Sequence, residues 1–221
     1  MIKDNLNEVR ASLKGGVCLV AVSKYHPVEA VEAAYAEGQR IFGESREQEL
    51  RVKYDTLPKD IQWHFIGHLQ TNKVKYIAPY ITMIEAVDSL KLMKEIEKQA
   101  EKCGRVIDIL LELHLAQEET KSGMTLDECR ELLHGGEWRD MSHVRICGIM
   151  MMASNTDDEE EIKREFLAAN DFYNEIKAQY FANDEAFSVK SYGMSHDYLL
   201  AQECGSNHVR VGSRIFSESH T

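Results

Sequence analysis

The 221-residue sequence predicts a (β/α)8 barrel, and three observations carry that expectation. Eight short runs rich in β-branched residues alternate with longer segments of helical period. The chain holds only three prolines and no Gly- or Ser-rich tract, so no linker divides it and residues 1–221 read as one domain. Nothing resembling GxGxxG follows the first strand, which disfavours an open doubly wound sheet. Continuous βα alternation implies parallel strands with right-handed crossovers. Eight repeats in about the smallest length such a fold needs favour closure.

The elements follow in order. "MIKDNLNEVRASLKGG" reads as a short amphipathic helix stopped by Gly15-Gly16, without the apolar core of a secretory leader. Strand 17–23, "VCLVAVS", is followed by Pro27, which opens a helix over 28–37 because proline loses no hydrogen bond in a first turn. Strands 40–43 "RIFG", 62–66 "QWHFI" and 83–87 "MIEAV" come next. Asp88 or Ser89 caps "LKLMKEIEKQAEKCG", which ends on Gly104. After strand 106–115, "VIDILLELHL", Thr125 and Glu128 form a capping-box pattern before "CRELLHGG". Strand 144–152, "VRICGIMMM", leads to a long helix through Tyr180. Asn155, Thr156 or Asp157 caps that helix, and its acidic first turn complements the helix dipole. Strand 187–192 "FSVKSY", the helix "YLLAQECG" started by Ser195 or Asp197, and strand 208–212 "HVRVG" complete the alternation.

Composition narrows the function. A formal net charge of −11 argues against nonspecific binding to nucleic acid or to an anionic membrane, since both need a positive surface. A local cup for a small anion remains compatible with that charge. No apolar run is long enough to span a bilayer. Cys18, Cys103, Cys129, Cys147 and Cys204 are scattered without a CxxC pair, which predicts reduced thiols in a cytoplasmic protein and no disulfide framework. No HExxH or comparable spacing appears, so no metal site is expected.

In a barrel of this kind chemistry gathers at the C-terminal ends of the strands, and phosphate commonly binds after strands seven and eight. Lys24 stands after the first strand, and Glu44 and Ser45 in "GESREQE" after the second. "GHLQTNK" follows the third, "GMSHD" (193–197) the seventh and "GSRIF" (212–216) the eighth. The last two loops combine glycine, which permits close backbone approach, with the Ser195 and Ser213 hydroxyls and nearby N–H groups that can donate to an anion. Gly and Ser are also ordinary turn residues; their coincidence at the usual phosphate position is what favours a site. Arg210 lies two residues before Gly212, so period-two alternation turns it toward the bore, whereas a register slipped by one residue on so short a strand would leave it on the surface. A neutral lysine amine at such a mouth can attack an aldehyde and form a Schiff base. Lysine, phosphate cup and inward arginine describe a pyridoxal phosphate site, and equally a Schiff-base aldolase whose phosphate belongs to a sugar substrate.

"AVSKYHPVEAVEAAYAEGQRIFGESREQE", "WHFIGHLQTNKVKYI", "ELHLAQEETKSGM", "GIMMMA" and "SYGMSHDYLLAQECGSNHVRVGSRIF" resemble the pyridoxal phosphate homeostasis proteins, a YggS-like, alanine racemase N-terminal-like family. The resemblance runs in order from about Val17 to Phe216. It implies a (β/α)8 barrel holding pyridoxal 5′-phosphate as an internal aldimine on Lys24, with Ser195, Gly212 and Ser213 as the phosphate cup. It implies that Arg210 faces the pyridine nitrogen, where a permanently protonated guanidinium makes the cofactor a poorer electron sink. Racemases that share this barrel add a C-terminal β-domain; this chain ends at Thr221, so that domain is expected to be absent. A holder of the cofactor, acting in pyridoxal phosphate and amino-acid homeostasis as a monomer, is therefore expected over a weak racemase. Its implied partners are the cofactor and the apoenzymes that depend on it.

Three departures from the family pattern bear on the site. Ser45 stands where an asparagine usually lines the cofactor, Tyr192 where methionine is usual, and Met151 where a smaller or polar residue often sits; these are expected to retune cofactor affinity. His64 and His68 flank "FIG" near the bore and read as satisfied core or rim histidines. Met150 to Met152 are expected to alternate between bore and helix-facing packing. Cys204 has no identifiable base and is not a candidate nucleophile.

Overall fold

A computed structural model of the protein describes residues 1–119 and 122–218. Thr120 and Lys121 of the "ELHLAQEETKSGM" block lie outside the described residues. The eight strands close in sequence order: β1 (Cys18–Val22), β2 (Ile41–Glu44), β3 (Gln62–Phe65), β4 (Met83–Val87), β5 (Ile107–Leu113), β6 (Val144–Met151), β7 (Val189–Tyr192) and β8 (His208–Val211). Every neighbouring pair is parallel, and β8 returns to β1 with Val20 opposite Arg210. The helices between them are α2 (Val28–Ala36), α3 (Glu47–Thr56), the short α4 (Val74–Ile77), α5 (Leu90–Lys102), α6 (Leu126–Gly135), α7 (Glu159–Tyr180), α8 (Tyr198–Glu203) and α9 (Ser213–Phe216). The leading helix α1 (Ile2–Ala11) buries Leu6 and Val9. Asn5 of α1 donates to the Ile215 carbonyl at 3.1 Å, tying the start of the chain to α9.

Side-chain alternation divides the apolar residues into two layers, as period two requires. Ala21, Phe42, Trp63, Ile84, Ile109, Met151, Tyr192 and Val211 belong to the large cluster between strands and helices. Met83, Ala86, Leu110, Cys147, Met150 and Val189 form a small separate cluster. Met150 and Met151 thus pack on opposite faces, as expected from the alternation. The parallel ladder slips between Ile84 and Val87 on β4, and again between Ile109 and Leu110 where β5 pairs with β6. Gly148 sits opposite the second slip with φ +153°, and a Cβ there would lie 1.9 Å from the Val189 carbonyl oxygen. Only glycine fits that close approach.

The caps agree with the sequence in two places and differ in one. Ser89 accepts the Leu92 N–H at 3.1 Å, and Thr125 with Glu128 forms the full capping box. The long helix α7 is capped by Asp158, whose Oδ1 accepts the N–H groups of Glu160 and Glu161, one residue beyond the three candidates. Asn155 and Thr156 instead belong to the preceding turn, where the Thr156 hydroxyl accepts the Asp158 N–H. Among the described residues no helix is long and apolar enough to cross a membrane.

Candidate cofactor site at the strand mouths

The loops after β7 and β8 meet. The Gly212 N–H donates to the Ser195 hydroxyl oxygen at 3.1 Å, and Arg214 Nε donates to the Ser195 carbonyl at 3.0 Å. Asp197 accepts the Met194 N–H at 2.7 Å, which closes the turn carrying Ser195. Asp197 is the residue that precedes α8, so of the two proposed starts it is the one observed. Gly212 packs so close to β1 that a Cβ would stand 2.9 Å from the Val22 carbonyl oxygen. The backbone of the cup therefore lies against the strand end that delivers Lys24 two residues later. Ser213 begins α9 and is exposed.

Lys24 and Ser45 each stand two residues beyond the paired Val22 and Gly43, so they occupy adjacent mouths. Lys24 is half-buried, with its ammonium 5.8 Å from the centre of the Tyr25 ring. The Arg46 guanidinium covers the same ring at 4.8 Å. Ser45 opens onto a cleft of about 330 Å³ whose walls include Arg46, Phe65, His68 and Lys73.

Arg210 is buried and donates three hydrogen bonds: to the Ser191 carbonyl at 2.7 Å, the Ser191 hydroxyl at 2.6 Å and the Met151 carbonyl at 2.9 Å. Ser191 in turn donates to Glu85 Oε1 at 2.5 Å, and Glu85 Oε2 meets His64 Nδ1 at 2.8 Å. Strands β4 and β7 are not neighbours in the sheet, so the Ser191–Glu85 bond crosses the bore. Glu85 stands 3.9 Å from the Arg210 guanidinium and supplies its counter-charge. Burial alone would push the Glu85 carboxyl up, but His64, Arg210 and Ser191 outweigh it and hold it well below the usual carboxylate range. Burial pushes the His208 imidazole down to about 4, so it adds no charge at neutral pH.

A second bore carboxylate behaves in the opposite way. Glu112 is buried, Ser122 donates to its Oε1 at 2.8 Å, and among the described residues its Oε2 has no hydrogen-bond partner. Burial raises it to about 7, helped by the charge of Asp88 and opposed by Ser122 and Arg210. The sign follows from linkage. Below the unfolded value both states are protonated, and as pH rises through the window up to about 7 the unfolded chain ionises first, so stability falls. Glu112→Gln should therefore gain on the parent by about 2–3 kcal/mol in denaturant unfolding free energy between acid and mildly alkaline pH. An unchanged difference across that range would show that Glu112 ionises normally.

Of the residues singled out from sequence, Lys24, Ser45, Ser195, Gly212 and Ser213 gather at the mouths, with Arg210 beneath them. His64 is a satisfied bore histidine and His68 lines the rim cleft. Tyr192 does not reach the site. Its hydroxyl donates to Asn170 Oδ1 at 2.9 Å and its ring stacks on Phe166, on the helix side of β7. Its departure from the family pattern is a packing change. The bore residues Glu85, Glu112 and Ser191 are not among the candidates read from the sequence. The available signal was an ionisable residue inside an apolar strand, as in "MIEAV" and "LLELHL", which in a closed barrel points to the bore.

A closed parallel barrel with a lysine at its first mouth and a cup at its last defines a class, that of the alanine racemase N-terminal domain. The family model so described matches residues 1–220. The chain belongs to that family, on the branch of the pyridoxal phosphate homeostasis proteins. The protein of that name from Helicobacter pylori is 37% identical over 204 residues, 91% of this chain and 88% of the relative. Its namesake from Schizosaccharomyces pombe is 36% identical, covering 97% of this chain and 90% of its own. The structure of PipY from Synechococcus elongatus with PLP bound superposes with a TM-score of 0.89 at 33% identity, covering 98% of this chain and all of that one. An alanine racemase from Clostridium difficile shares the fold, with a TM-score of 0.79 at 14% identity over 60% of its chain.

Proposed function

We propose that the protein binds pyridoxal 5′-phosphate at the strand mouths, with Lys24 holding it covalently through Nζ, and serves pyridoxal phosphate and amino-acid homeostasis in the cytoplasm. The observation that carries this reading is the cup. Gly212 approaches the Val22 carbonyl as only glycine can, and its N–H meets the Ser195 hydroxyl at 3.1 Å. Hydroxyl and main-chain N–H donors beside an amine suit a phosphate ester that also carries an aldehyde. The relatives' names and the PLP-bound PipY structure support the same ligand.

In this reading Ser195, Gly212 and Ser213 bind the phosphate, Lys24 holds the aldehyde carbon, and Ser45 borders the ring. When bound, the cofactor supplies an electrophilic carbon conjugated to an electron-withdrawing ring. Arg210, kept cationic in the bore by Glu85, offers only donors and so withholds a proton from the ring nitrogen. That weakens electron withdrawal and favours holding the cofactor over carbanion chemistry. The protein acts as a monomer, and its partners are the apoenzymes that take up the cofactor.

Cofactor-loaded protein should absorb in the visible, and borohydride should fix the cofactor on the peptide containing Lys24. Lys24→Ala should abolish both signals while changing unfolding stability by no more than about 0.5 kcal/mol. The same covalent adduct persisting in the variant would overturn the assignment.

A further inference from the structure

Beneath Lys24 lies a buried charge cluster that none of the roles above uses. Lys53 on α3 is 3% exposed and Glu44 at the end of β2 is fully buried. The Lys53 ammonium donates to the Ser23 carbonyl at 2.8 Å, to Glu44 Oε1 at 2.5 Å and to Glu49 Oε1 at 2.9 Å. An ammonium has three protons, so the group is saturated. Both carboxylates then reach to the turn that follows β1. Glu44 Oε1 accepts the Ser23 hydroxyl at 2.7 Å, and Glu49 Oε1 accepts the Tyr25 N–H at 2.6 Å. The residue before Lys24 is thus held by its carbonyl and hydroxyl, and the residue after it by its amide.

Tyr25 makes the grip informative. Its φ is +67°, and among the described residues no other non-glycine has positive φ. A bulky L-residue rarely adopts that region, because its Cβ crowds the following carbonyl oxygen. Its side chain is exposed, and the turn is held by the backbone: the His26 N–H closes onto the Ser23 carbonyl at 3.1 Å, and Glu49 adds its bond to the Tyr25 N–H. Burial pushes the Glu44 carboxyl above its ordinary value even against the pull of Lys53. A buried ion pair of this kind is a weak source of stability compared with apolar packing. What it supplies is direction.

We propose that Lys53, acting through Glu44 and Glu49, is a positioning residue that fixes the backbone on both sides of Lys24 and so aims its amine at the cup. The inference rests on the reading of Lys24 as the lysine that holds the cofactor. It separates two contributions to binding: the cup takes the phosphate, and the clamp governs covalent capture. Pyridoxine 5′-phosphate, which has the phosphate but no aldehyde, probes the cup alone.

The test measures affinity for pyridoxal 5′-phosphate and for pyridoxine 5′-phosphate in Lys53→Met, Glu44→Gln and the neutral double variant, with Lys24→Ala alongside. Covalent affinity should fall about tenfold or more, while affinity for the alcohol stays within about twofold. Parallel loss of both, or loss of neither, would overturn positioning by Lys53 and leave the Lys24 reading intact. Retention of the adduct by Lys24→Ala would instead overturn that reading. Should the variants not fold, amide exchange in the unaltered protein decides. The Tyr25 amide should be protected despite its place in an exposed turn, and free exchange there would refute the clamp.

Discussion

Arg210→Glu should unfold the barrel or leave it barely folded at room temperature. The guanidinium satisfies the Ser191 carbonyl, the Ser191 hydroxyl and the Met151 carbonyl, and it is the cation opposite Glu85. A glutamate there strips all three bonds and sets a second carboxylate against Glu85. Breaking one buried ion pair costs about 3–5 kcal/mol, against a total stability of about 5–15 kcal/mol for an ordinary domain. Charge reversal adds repulsion in a bore that water cannot screen. Denaturant unfolding of the apo-protein measures the loss directly. Arg210→Met with Glu85→Gln removes both charges and should recover most of it, because paired removal leaves no orphan charge. If Arg210→Glu unfolded at the parent's midpoint, the bore network would carry no stability. The double variant is also the one in which the cofactor's spectrum can report whether a cation faces the ring nitrogen.

Arg210 was legible in the sequence and its partner was not, for one reason. Arg210 stands two residues before a glycine already marked by its loop, so alternation alone turns it inward. Glu85 stands in "MIEAV", where in a closed barrel the glutamate marks a bore position, but nothing in that segment says which cation meets it. Arg210 reaches it from β8, across the bore. The strand order followed from local patterns: β-branched runs, turn residues and their count. Lys53 lies in "EQELRVKYD", where a lysine four residues after a glutamate reads as a solvated helix pair. The pair exists, with Glu49, but α3 lies on the strand mouths and buries it beside Glu44 and Ser23. No pattern within one segment encodes which helix turn covers which strand end. Tyr192 shows the converse. Its place beside "GMS" suggested the cofactor, yet strand parity sends Ser191 to the bore and Tyr192 to α7.

Gly212→Val should remove phosphate binding from a barrel that still folds. The Cβ would stand 2.9 Å from the Val22 carbonyl oxygen and 3.1 Å from Val22 Cβ. The first of these neighbours is backbone and cannot rotate away, so the end of β8 must move off β1. Two consequences follow from one displacement. The Gly212 N–H leaves the Ser195 hydroxyl, which opens the cup, and the cup separates from the strand end that carries Lys24. Affinity for pyridoxal 5′-phosphate and for pyridoxine 5′-phosphate should both fall by about 100-fold, equivalent to about 2.7 kcal/mol. Gly212→Ala should fall in the same direction by less, since it adds the clash without the branch. This parallel loss is the opposite of the selective loss expected at Lys53, and the pair of patterns distinguishes a residue that makes the cup from one that aims the amine. Unaltered affinity for both ligands in Gly212→Val would move the phosphate away from the mouth of β8.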